Sequence, residues 1–278
     1  MSAPDAPAYR VAIVSDPLVQ RGGAERVVIE MTHAFPEAPV FAVLFSERNG
    51  PSALAPRVRQ SWLGRIPRAA ERHRAFLPFY PSAVEGFDLS AFDVILSSHH
   101  TVAKGVLRRA DQVHVCYCHT PMRALWERAH EEARTVPGIA RPAVHAMFSR
   151  LRVWDYVTAA RVDRFLANSR TTQQRIRSHY GRESDLLHPP IDTERFTPGG
   201  TAGDYYLIAS RPVAYKRIDI AIAAARRLHR RVVVVGGAKA GMRSADGIEV
   251  LGHVDDARLS SSCAARARCS FRSSRTSA

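Results

Sequence analysis

Long apolar runs are absent from this sequence, and so is an apolar core near its N-terminus, which reads "MSAPDAPAYR". No stretch approaches the length that spans a bilayer, and a secretory signal is not indicated. Cysteine is also scarce: Cys116 and Cys118 lie in a strand-like run, and Cys263 and Cys269 lie near the C-terminus. This spacing does not match the disulfide framework of a small secreted domain. We therefore expect a cytoplasmic protein, with any membrane contact peripheral and on the inner face of the membrane.

Acidic residues are outnumbered by basic ones, 26 Asp and Glu against 40 Lys and Arg, so the net charge is +14 over 278 residues. This surplus favours nucleic acid, an anionic membrane face or phosphorylated small molecules as partners, although a basic solvated surface has the same composition. No helix-turn-helix or base-stacking motif accompanies the charge, so nucleic acid is not expected as a partner. Residues 257–278 contain no acid at all, but five Arg and seven Ser.

Strand and helix patterns alternate along the first two thirds of the chain. "YRVAIVSD" predicts a strand, "PLVQRGG" a glycine loop, and "AERVVIEMTHAF" a helix with Val27, Val28, Met31 and Phe35 on one face. The runs "APVFAVLF", "FDVILSSH" and "QVHVCYCH" are nearly all apolar, as strands of a parallel sheet covered on both faces should be. The pattern predicts an α/β doubly wound domain.

A further strand and helix, "DRFLANS" and "RTTQQRIRSHYG", have Ser169 at the N-cap position and Gly181 at the C-terminal stop position. The Pro/Gly-rich segment from His188 to Gly203 then predicts a domain boundary. Beyond it, "YYLIAS", "RIDIAIAAARRL", "RVVVVGG" and "IEVLG" predict a second α/β domain with about three strands. We expect a first domain at 1–190, a partial second domain at 191–256 and an atypical Ser/Arg-rich tail at 257–278.

Five residues are candidates for a functional site. Gly22 and Gly23 lie between the first strand and the first helix, where bare backbone N–H groups can face an anion, although a simple tight turn has the same sequence. The loop lacks the G-x-G-x-x-G dinucleotide fingerprint. Arg211 and Lys216, in "SRPVAYKR", follow a strand and lead into a helix, as a diphosphate site requires, and ordinary surface basicity is the alternative. His119 ends a strand, at the edge where clefts form in open α/β sheets, although a lone histidine is often structural.

Two other features have weaker interpretations. Cys116, Cys118 and His119 could suggest zinc, but alternation along a strand puts the cysteines and the histidine on opposite faces, with no fourth ligand nearby, so no metal is expected. Residues 59–81, "RQSWLGRIPRAAERHRAFLPFYP", combine basic and aromatic side chains. An element that lies on anionic lipid has this composition, and so does a loop packed on its own domain.

Six motifs in order resemble the glycosyltransferases of family 4: "GGAERVV", "CYCHTPMRALW", "ANSRTTQQRI", "HPPIDTERFTP", "SRPVAYKRIDIAI" and "VVVVGG". The stretch "FDLSAFDVILSSHHTVAKGV" is similar to the mannosyltransferase-type members. The resemblance covers about Arg10 to Asp256. It implies the GT-B fold, in which two Rossmann-like domains face each other, with the acceptor mainly on the first domain and the nucleotide sugar mainly on the second.

The resemblance also implies a function. The chain would move a sugar, mannose by this resemblance, from a nucleotide sugar such as GDP-mannose to a lipid-linked or polysaccharide acceptor in cell-surface glycan synthesis. The anomeric configuration would be retained, without a bound metal or other cofactor. Gly22 and Gly23 would line the cleft, His119 would lie against the transferred sugar as the catalytic residue, and Arg211 and Lys216 would hold the donor diphosphate.

The sequence departs from the family pattern near its end. Family members carry two glutamates spaced E-x7-E in the second domain, whereas this chain has no Glu after Glu249 and no acid after Asp256. We therefore expect a second domain that is incomplete, followed by a tail that a shift of reading frame would explain. An inactive remnant or a binding module is the alternative to an active transferase, and a basic nucleic-acid-binding protein is the weaker third interpretation.

Overall fold

The computed structural model of the chain describes residues 9–193, 203–209, 218–236, 247–252, 254 and 266–269. The chain forms two compact units, Met1–Pro190 and Ile191–Ala278. Every helix in these described ranges is too short or too polar to cross a membrane.

The first unit is built on a seven-stranded parallel sheet. In chain order its strands are β1 (Val11–Ser15), β2 (Val40–Ala42), β3 (Val58–Gln60), β4 (Val94–His99), β5 (Val113–Cys118), β6 (Arg164–Ala167) and β7 (Asp185–Leu186). The order across the sheet is β3-β2-β1-β4-β5-β6-β7, and each neighbouring pair is parallel. Because the strand order reverses at β1 and β4, a crevice is expected outside the carboxyl ends of these two strands.

Helices connect the strands of this sheet. They are α1 (Gly23–Ala34), α2 (Tyr80–Glu85), α3 (Ala129–Ala133), α4 (Arg141–Thr158) and α5 (Arg170–Tyr180). Short 3-10 helices occupy Ser52–Arg57, Trp62–Arg65, His73–Phe79, Ala103–Gly105, Gly138–Ala140 and Ala159–Arg161. The doubly wound α/β domain predicted from the alternating pattern is confirmed.

The core lies on both faces of the sheet. In β1, Ala12 and Val14 pack into one apolar cluster and Ile13 packs into another, and all three side chains are fully buried. This alternation explains why the inner strands, such as β1, are apolar at nearly every position, since neither face meets water. Helix α1 contributes Val28 to the second cluster. The prediction for its apolar face is wrong at Phe35, which caps the helix and is 39% exposed.

Helix α5 begins and ends where its sequence indicates. The Ser169 side chain accepts a hydrogen bond from the backbone N–H of Thr172, 3.2 Å away, and so satisfies one of the free amides of the first turn. Gly181 has a left-handed φ of 65°, and its N–H donates to the carbonyl of Arg177 at 3.0 Å. Both predicted caps are confirmed.

The second unit holds a smaller parallel sheet. Its elements are β8 (Gly203–Ala209), α6 (Ile218–Arg227), β9 (Val232–Val235), β10 (Ile248–Gly252) and β11 (Arg266–Cys269), and the sheet order is β10-β9-β8-β11. The first three strands are those that the sequence predicts. The fourth comes from the Ser/Arg-rich tail, which apolar patterning did not identify because an edge strand can pair through its main chain alone.

Candidate functional site

Asp16 directly follows β1 and organises the turn that follows β4. Its carboxylate accepts backbone hydrogen bonds from His100, Thr101, Val102 and Ala103, the last three at 2.8, 2.7 and 3.0 Å. The side chain is only 2% exposed, and four amide donors compensate for its burial. Burial raises the pKa of Asp16, but His100 and the backbone donors outweigh this effect and hold the pKa below its ordinary value. Asp16 is therefore ionised at neutral pH.

His100 lies against the Asp16 carboxylate. Its Nδ1 is 3.0 Å from Oδ2 of Asp16, close enough for an ion pair although not in line for a hydrogen bond, and the imidazole is 33% exposed. Burial lowers the pKa of His100, whereas the charges of Asp16 and Glu25 raise it, and the net shift is upward. The turn thus presents a partly exposed, carboxylate-paired imidazole at the switch point of the sheet.

His119 follows β5 at the same carboxyl edge. Its backbone N–H donates to the carbonyl of His99 at 2.8 Å, and its Nε2 lies 2.9 Å from the hydroxyl of Ser98. The rings of His119 and His100 are 6.1 Å apart. Burial, with a smaller contribution from His100, lowers the pKa of His119 to about 4, so that this imidazole is neutral near pH 7.

Gly22 and Gly23 begin helix α1 after the loop that follows β1. Gly22 is the N-cap, and a Cβ there would lie 2.8 Å from Oε2 of Glu25, whereas a Cβ at Gly23 would meet nothing within 4 Å. Glu25 is 2% exposed, and its Oε1 is buried without a hydrogen-bond partner in the described part of the chain. Glycine at position 22 therefore leaves space for a buried carboxylate at the helix start.

A buried polar network lies behind this edge of the sheet. Nζ of Lys104, just after the His100 turn, is 2.9 Å from Oδ1 of Asp155 in α4, and both side chains are fully buried. The Asp155 carboxylate also accepts from Trp126 Nε1 at 2.8 Å and from the Tyr180 hydroxyl at 3.1 Å. Because the network joins the turn after β4 to α4 and α5, it fixes the backbone that carries His100.

The structure describes three of the five predicted site residues. Gly22, Gly23 and His119 lie at the carboxyl edge of the first sheet, whereas Arg211 and Lys216 lie outside the described residues. Cys116 and Cys118 are both fully buried, and burial raises the pKa of the Cys116 thiol to about 12. No group of three His, Cys, Asp or Glu side chains that could hold a metal is found among the residues that the structure describes.

Sequence reasoning missed three members of this edge. Asp16, Glu25 and His100 were not identified as site residues, although the strands that precede Asp16 and His100 were predicted. A signal was present, because "SD" and "SSHH" place polar side chains directly where apolar strands end. Carboxyl ends of parallel strands share one edge, so residues at these positions lie close together.

Comparison with known proteins places the fold among the glycosyltransferases. The crystal structure of Anabaena Alr3699/HepE in complex with UDP and glucose aligns with a TM-score of 0.56 and 13% identity, over 89% of this chain and 70% of that one. This likeness shows the GT-B fold, as predicted. The sequence profile of Glycosyltransferase Family 4 matches residues 21–195, and the chain belongs to that family of transferases.

Two further glycosyltransferase structures align with lower TM-scores. AviGT4, a glycosyltransferase involved in avilamycin A biosynthesis, aligns at a TM-score of 0.44 and 18% identity, over 91% of this chain and 66% of that one. SnogD from Streptomyces nogalater aligns at 0.41 and 11% identity, over 89% and 72%. The chain thus spans about two thirds of the length of these proteins. No curated protein matches it significantly.

Proposed function

We propose that this chain is a retaining glycosyltransferase that moves mannose from GDP-mannose to a lipid-linked or polysaccharide acceptor in cell-surface glycan synthesis. The observation that carries the proposal is the carboxyl edge of the first sheet. In a family 4 chain, this edge combines the neutral imidazole of His119 with the Gly22–Gly23 start of helix α1. The choice of mannose and of the acceptor class is supported by the resemblance of the "FDLSAFDVILSSHHTVAKGV" stretch to mannosyltransferases.

The proposed roles follow from the chemistry of each group. A neutral His119 exchanges hydrogen bonds with a hydroxyl of the transferred sugar. The backbone N–H groups at Gly22 and Gly23 and the positive end of the 12-residue helix α1 favour an anion or a sugar hydroxyl. Arg211 and Lys216 hold the donor diphosphate, whose negative charge grows as the sugar–phosphate bond breaks, and they stabilise that state more than the ground state. No metal or other cofactor takes part in this proposal.

Support for a nucleotide-sugar donor comes from the fold. The HepE structure, which shares the GT-B fold, contains UDP and glucose. A diphosphate leaving group is common to UDP- and GDP-sugars, so the test uses both.

Donor turnover tests the proposal. Purified chain is incubated with GDP-mannose or UDP-glucose, and release of GDP or UDP is measured with EDTA present. We expect GDP release from GDP-mannose and a loss of about 100-fold or more for Lys216→Ala combined with Arg211→Ala. Arg227→Ala, an exposed cation on α6, is the matched control and should keep the wild-type rate. A folded chain that turns over neither donor would instead support the inactive binding module.

Residues 59–81 carry the proposed membrane contact. Trp62 and Phe79 are 43% and 51% exposed and stand edge to face with ring centroids 6.4 Å apart, whereas Leu63 and Tyr80 are buried in the domain. The segment is therefore partly packed and partly exposed. We propose that the exposed pair and the neighbouring arginines lie on anionic lipid.

Vesicle sedimentation tests this contact. Wild-type protein should sediment with phosphatidylglycerol vesicles and stay in solution with phosphatidylcholine vesicles. The double variant Trp62→Ser, Phe79→Ser should no longer sediment more with phosphatidylglycerol than with phosphatidylcholine vesicles. The variant Tyr9→Ser replaces an aromatic residue outside this segment that is 68% exposed, and it should keep the wild-type preference. Equal sedimentation of both variants would contradict the contact at residues 59–81.

A further inference from the structure

Two serine–histidine hydrogen bonds connect β4 to β5 and to the residue that follows it. The Ser97 hydroxyl lies 2.8 Å from Nε2 of His114, and the Ser98 hydroxyl lies 2.9 Å from Nε2 of His119. Both serines and His114 are buried, whereas His119 is partly exposed. The two pairs therefore make the same contact in different surroundings.

The surroundings of His114 determine which of its ring nitrogens carries the proton. Its Nδ1 lies 3.2 Å from the backbone carbonyl of Arg161, and a carbonyl oxygen can only accept a hydrogen bond. Burial lowers the pKa of His114 to about 4, so the neutral ring has a single proton, and that proton is on Nδ1. Nε2 then accepts a hydrogen bond from the hydroxyl of Ser97. Both nitrogens of this ring are thus satisfied inside the domain.

His119 has the same bond at Nε2 and an unfilled position at Nδ1. Among the residues that the structure describes, Nδ1 of His119 has no hydrogen-bond partner, and the hydroxyl of Ser98 has none other than Nε2. A buried hydroxyl proton without an acceptor is costly, so Ser98 donates its proton to Nε2. Burial lowers the pKa of His119 to about 4, so its ring is neutral as well. Its single proton is therefore on Nδ1, as in His114.

The backbone and the ring of His119 are both held in place. The backbone N–H donates to the carbonyl of His99 at 2.8 Å, and the backbone carbonyl lies 3.0 Å from the hydroxyl of Thr172. The ring of Tyr117 packs edge to face against the imidazole, with the ring centroids 5.1 Å apart. The Nδ1–H group consequently has a fixed direction at the carboxyl edge of the sheet.

We propose that Ser98 is a positioning residue that makes His119 a hydrogen-bond donor, through Nδ1–H, to an oxygen of the transferred sugar. His119 contacts the sugar, and Ser98 acts through His119. The sugar oxygen takes the place that the Arg161 carbonyl has beside His114. A hydrogen bond of this kind transfers no proton, so the role is compatible with retention of the anomeric configuration. The inference rests on the proposed glycosyl transfer.

Release of GDP from GDP-mannose tests the contribution of Ser98. Ser98→Ala should lower kcat/KM by about 10-fold, the effect of one lost hydrogen bond, and Ser98→Thr, which keeps the hydroxyl, should restore it. Ser97→Ala is the matched control, because it removes the same type of bond from the neighbouring buried serine and should keep the wild-type kcat/KM. Thermal unfolding of the three variants verifies that each is folded.

Nuclear magnetic resonance of the imidazole nitrogens adds a measurement that does not need activity. The signals of His119 are identified by their absence in His119→Gln. We expect the proton of His119 on Nδ1 in the wild-type chain and in Ser97→Ala, and a loss of this preference in Ser98→Ala. A wild-type His119 with its proton on Nε2 would overturn the inference.

The outcomes separate the inference from the proposed function. Equal losses of kcat/KM in Ser98→Ala and Ser97→Ala, or a folded Ser98→Thr as slow as Ser98→Ala, would overturn the inference while the transferase function stands. A wild-type chain that turns over neither GDP-mannose nor UDP-glucose would refute the function, and the sugar contact with it, even where the proton of His119 is on Nδ1.

Discussion

Lys104 and Asp155 form an ion pair whose two side chains are both fully buried, with Nζ 2.9 Å from Oδ1. Lys104 also donates to the hydroxyl of Thr158 at 2.7 Å, and its ammonium lies 4.7 Å from the centroid of the Tyr180 ring. Lys104 donates in addition to the backbone carbonyl of Asp155, so each of the three N–H donors of the ammonium has an oxygen partner, which compensates for the removal of the charge from water.

Replacement of Lys104 by Met should destabilise the first unit strongly. The variant leaves the Asp155 carboxylate buried without its cation, and the loss expected for such a group is about 3 to 5 kcal/mol. Urea unfolding followed by circular dichroism measures the change. Arg177→Ala is the control, because its ion pair with Glu183 is 73% and 80% exposed and should contribute little. A Lys104→Met variant as stable as the control would contradict the assigned role of the pair.

Gly22 and Gly23 should respond differently to alanine. A methyl group at position 22 would lie 2.8 Å from Oε2 of the buried Glu25, so we expect Gly22→Ala to cost about 1 to 3 kcal/mol. Gly23→Ala meets open space and should be neutral or slightly stabilising. Thermal unfolding of both variants decides the point. The double variant Gly22→Ala, Glu25→Ala should recover stability relative to Gly22→Ala alone. If it does not, the loss of stability in Gly22→Ala does not come from the contact with Glu25.

Five strands of the first unit, β1, β2, β4, β5 and β6, could be predicted because they are largely buried on both faces, whereas the edge strands β3 and β7 are more exposed and were not predicted. The buried strands are continuous apolar runs, as in "FDVILSSH", and β4 forms there. Helix α4 could not be predicted in the same way, because its buried face includes Asp155 and Thr158 beside Phe148 and Leu151. Asp155 and Thr158 interrupt the helical repeat of apolar residues. Their burial is explained by their contacts with Lys104, which lies 51 residues before Asp155 in the sequence.

The candidate site could be predicted only in part, because some of its residues are distant in the sequence and meet only in the folded chain. His119 and the two glycines were identified from their places after a strand and before a helix. Asp16 and His100 are 84 residues apart, and they meet because β1 and β4 are neighbours in the sheet. Strand order is not visible in the spacing of residues, so the pairing of these two side chains could not be read from the sequence.

The two caps of helix α5 should each contribute to stability. Ser169→Ala removes the acceptor for the Thr172 amide and should cost about 1 kcal/mol. Gly181→Ala places a Cβ on a residue with a φ of 65° and should cost about 1 to 2 kcal/mol. Gly138→Ala is the control, since its added Cβ meets nothing within 4 Å and its φ is not left-handed. Chemical denaturation would contradict the cap assignment if all three variants lost the same stability.

Acid should destabilise the first unit through its buried neutral histidines. His99 and His114 are fully buried. Burial, followed by the Lys104 charge, lowers the pKa of His99 to about 3, and burial lowers that of His114 to about 4. The unfolded chain protonates both near pH 6.5, so the unfolded state binds more protons below that pH. Stability present above pH 6.5 is then lost as the pH falls towards 4, by about 1.4 kcal/mol per pH unit for each imidazole.

Two paired groups modify this profile in opposite directions. The pKa of His100 is raised, so its stabilising contribution is present below pH 6.5 and is lost as the pH rises through its folded value. The pKa of Asp16 is lowered, so its contribution is lost only below about pH 4, after the histidines have begun to titrate. Urea unfolding at half-unit steps from pH 8 to pH 4 measures how the free energy of unfolding, to which all these groups contribute, changes with pH. His114→Asn should flatten the loss between pH 6.5 and 4, whereas His33→Asn, with a side chain 68% exposed, should not. Stability that stays constant over that range in the wild-type chain would show that His99 and His114 are not held neutral by burial.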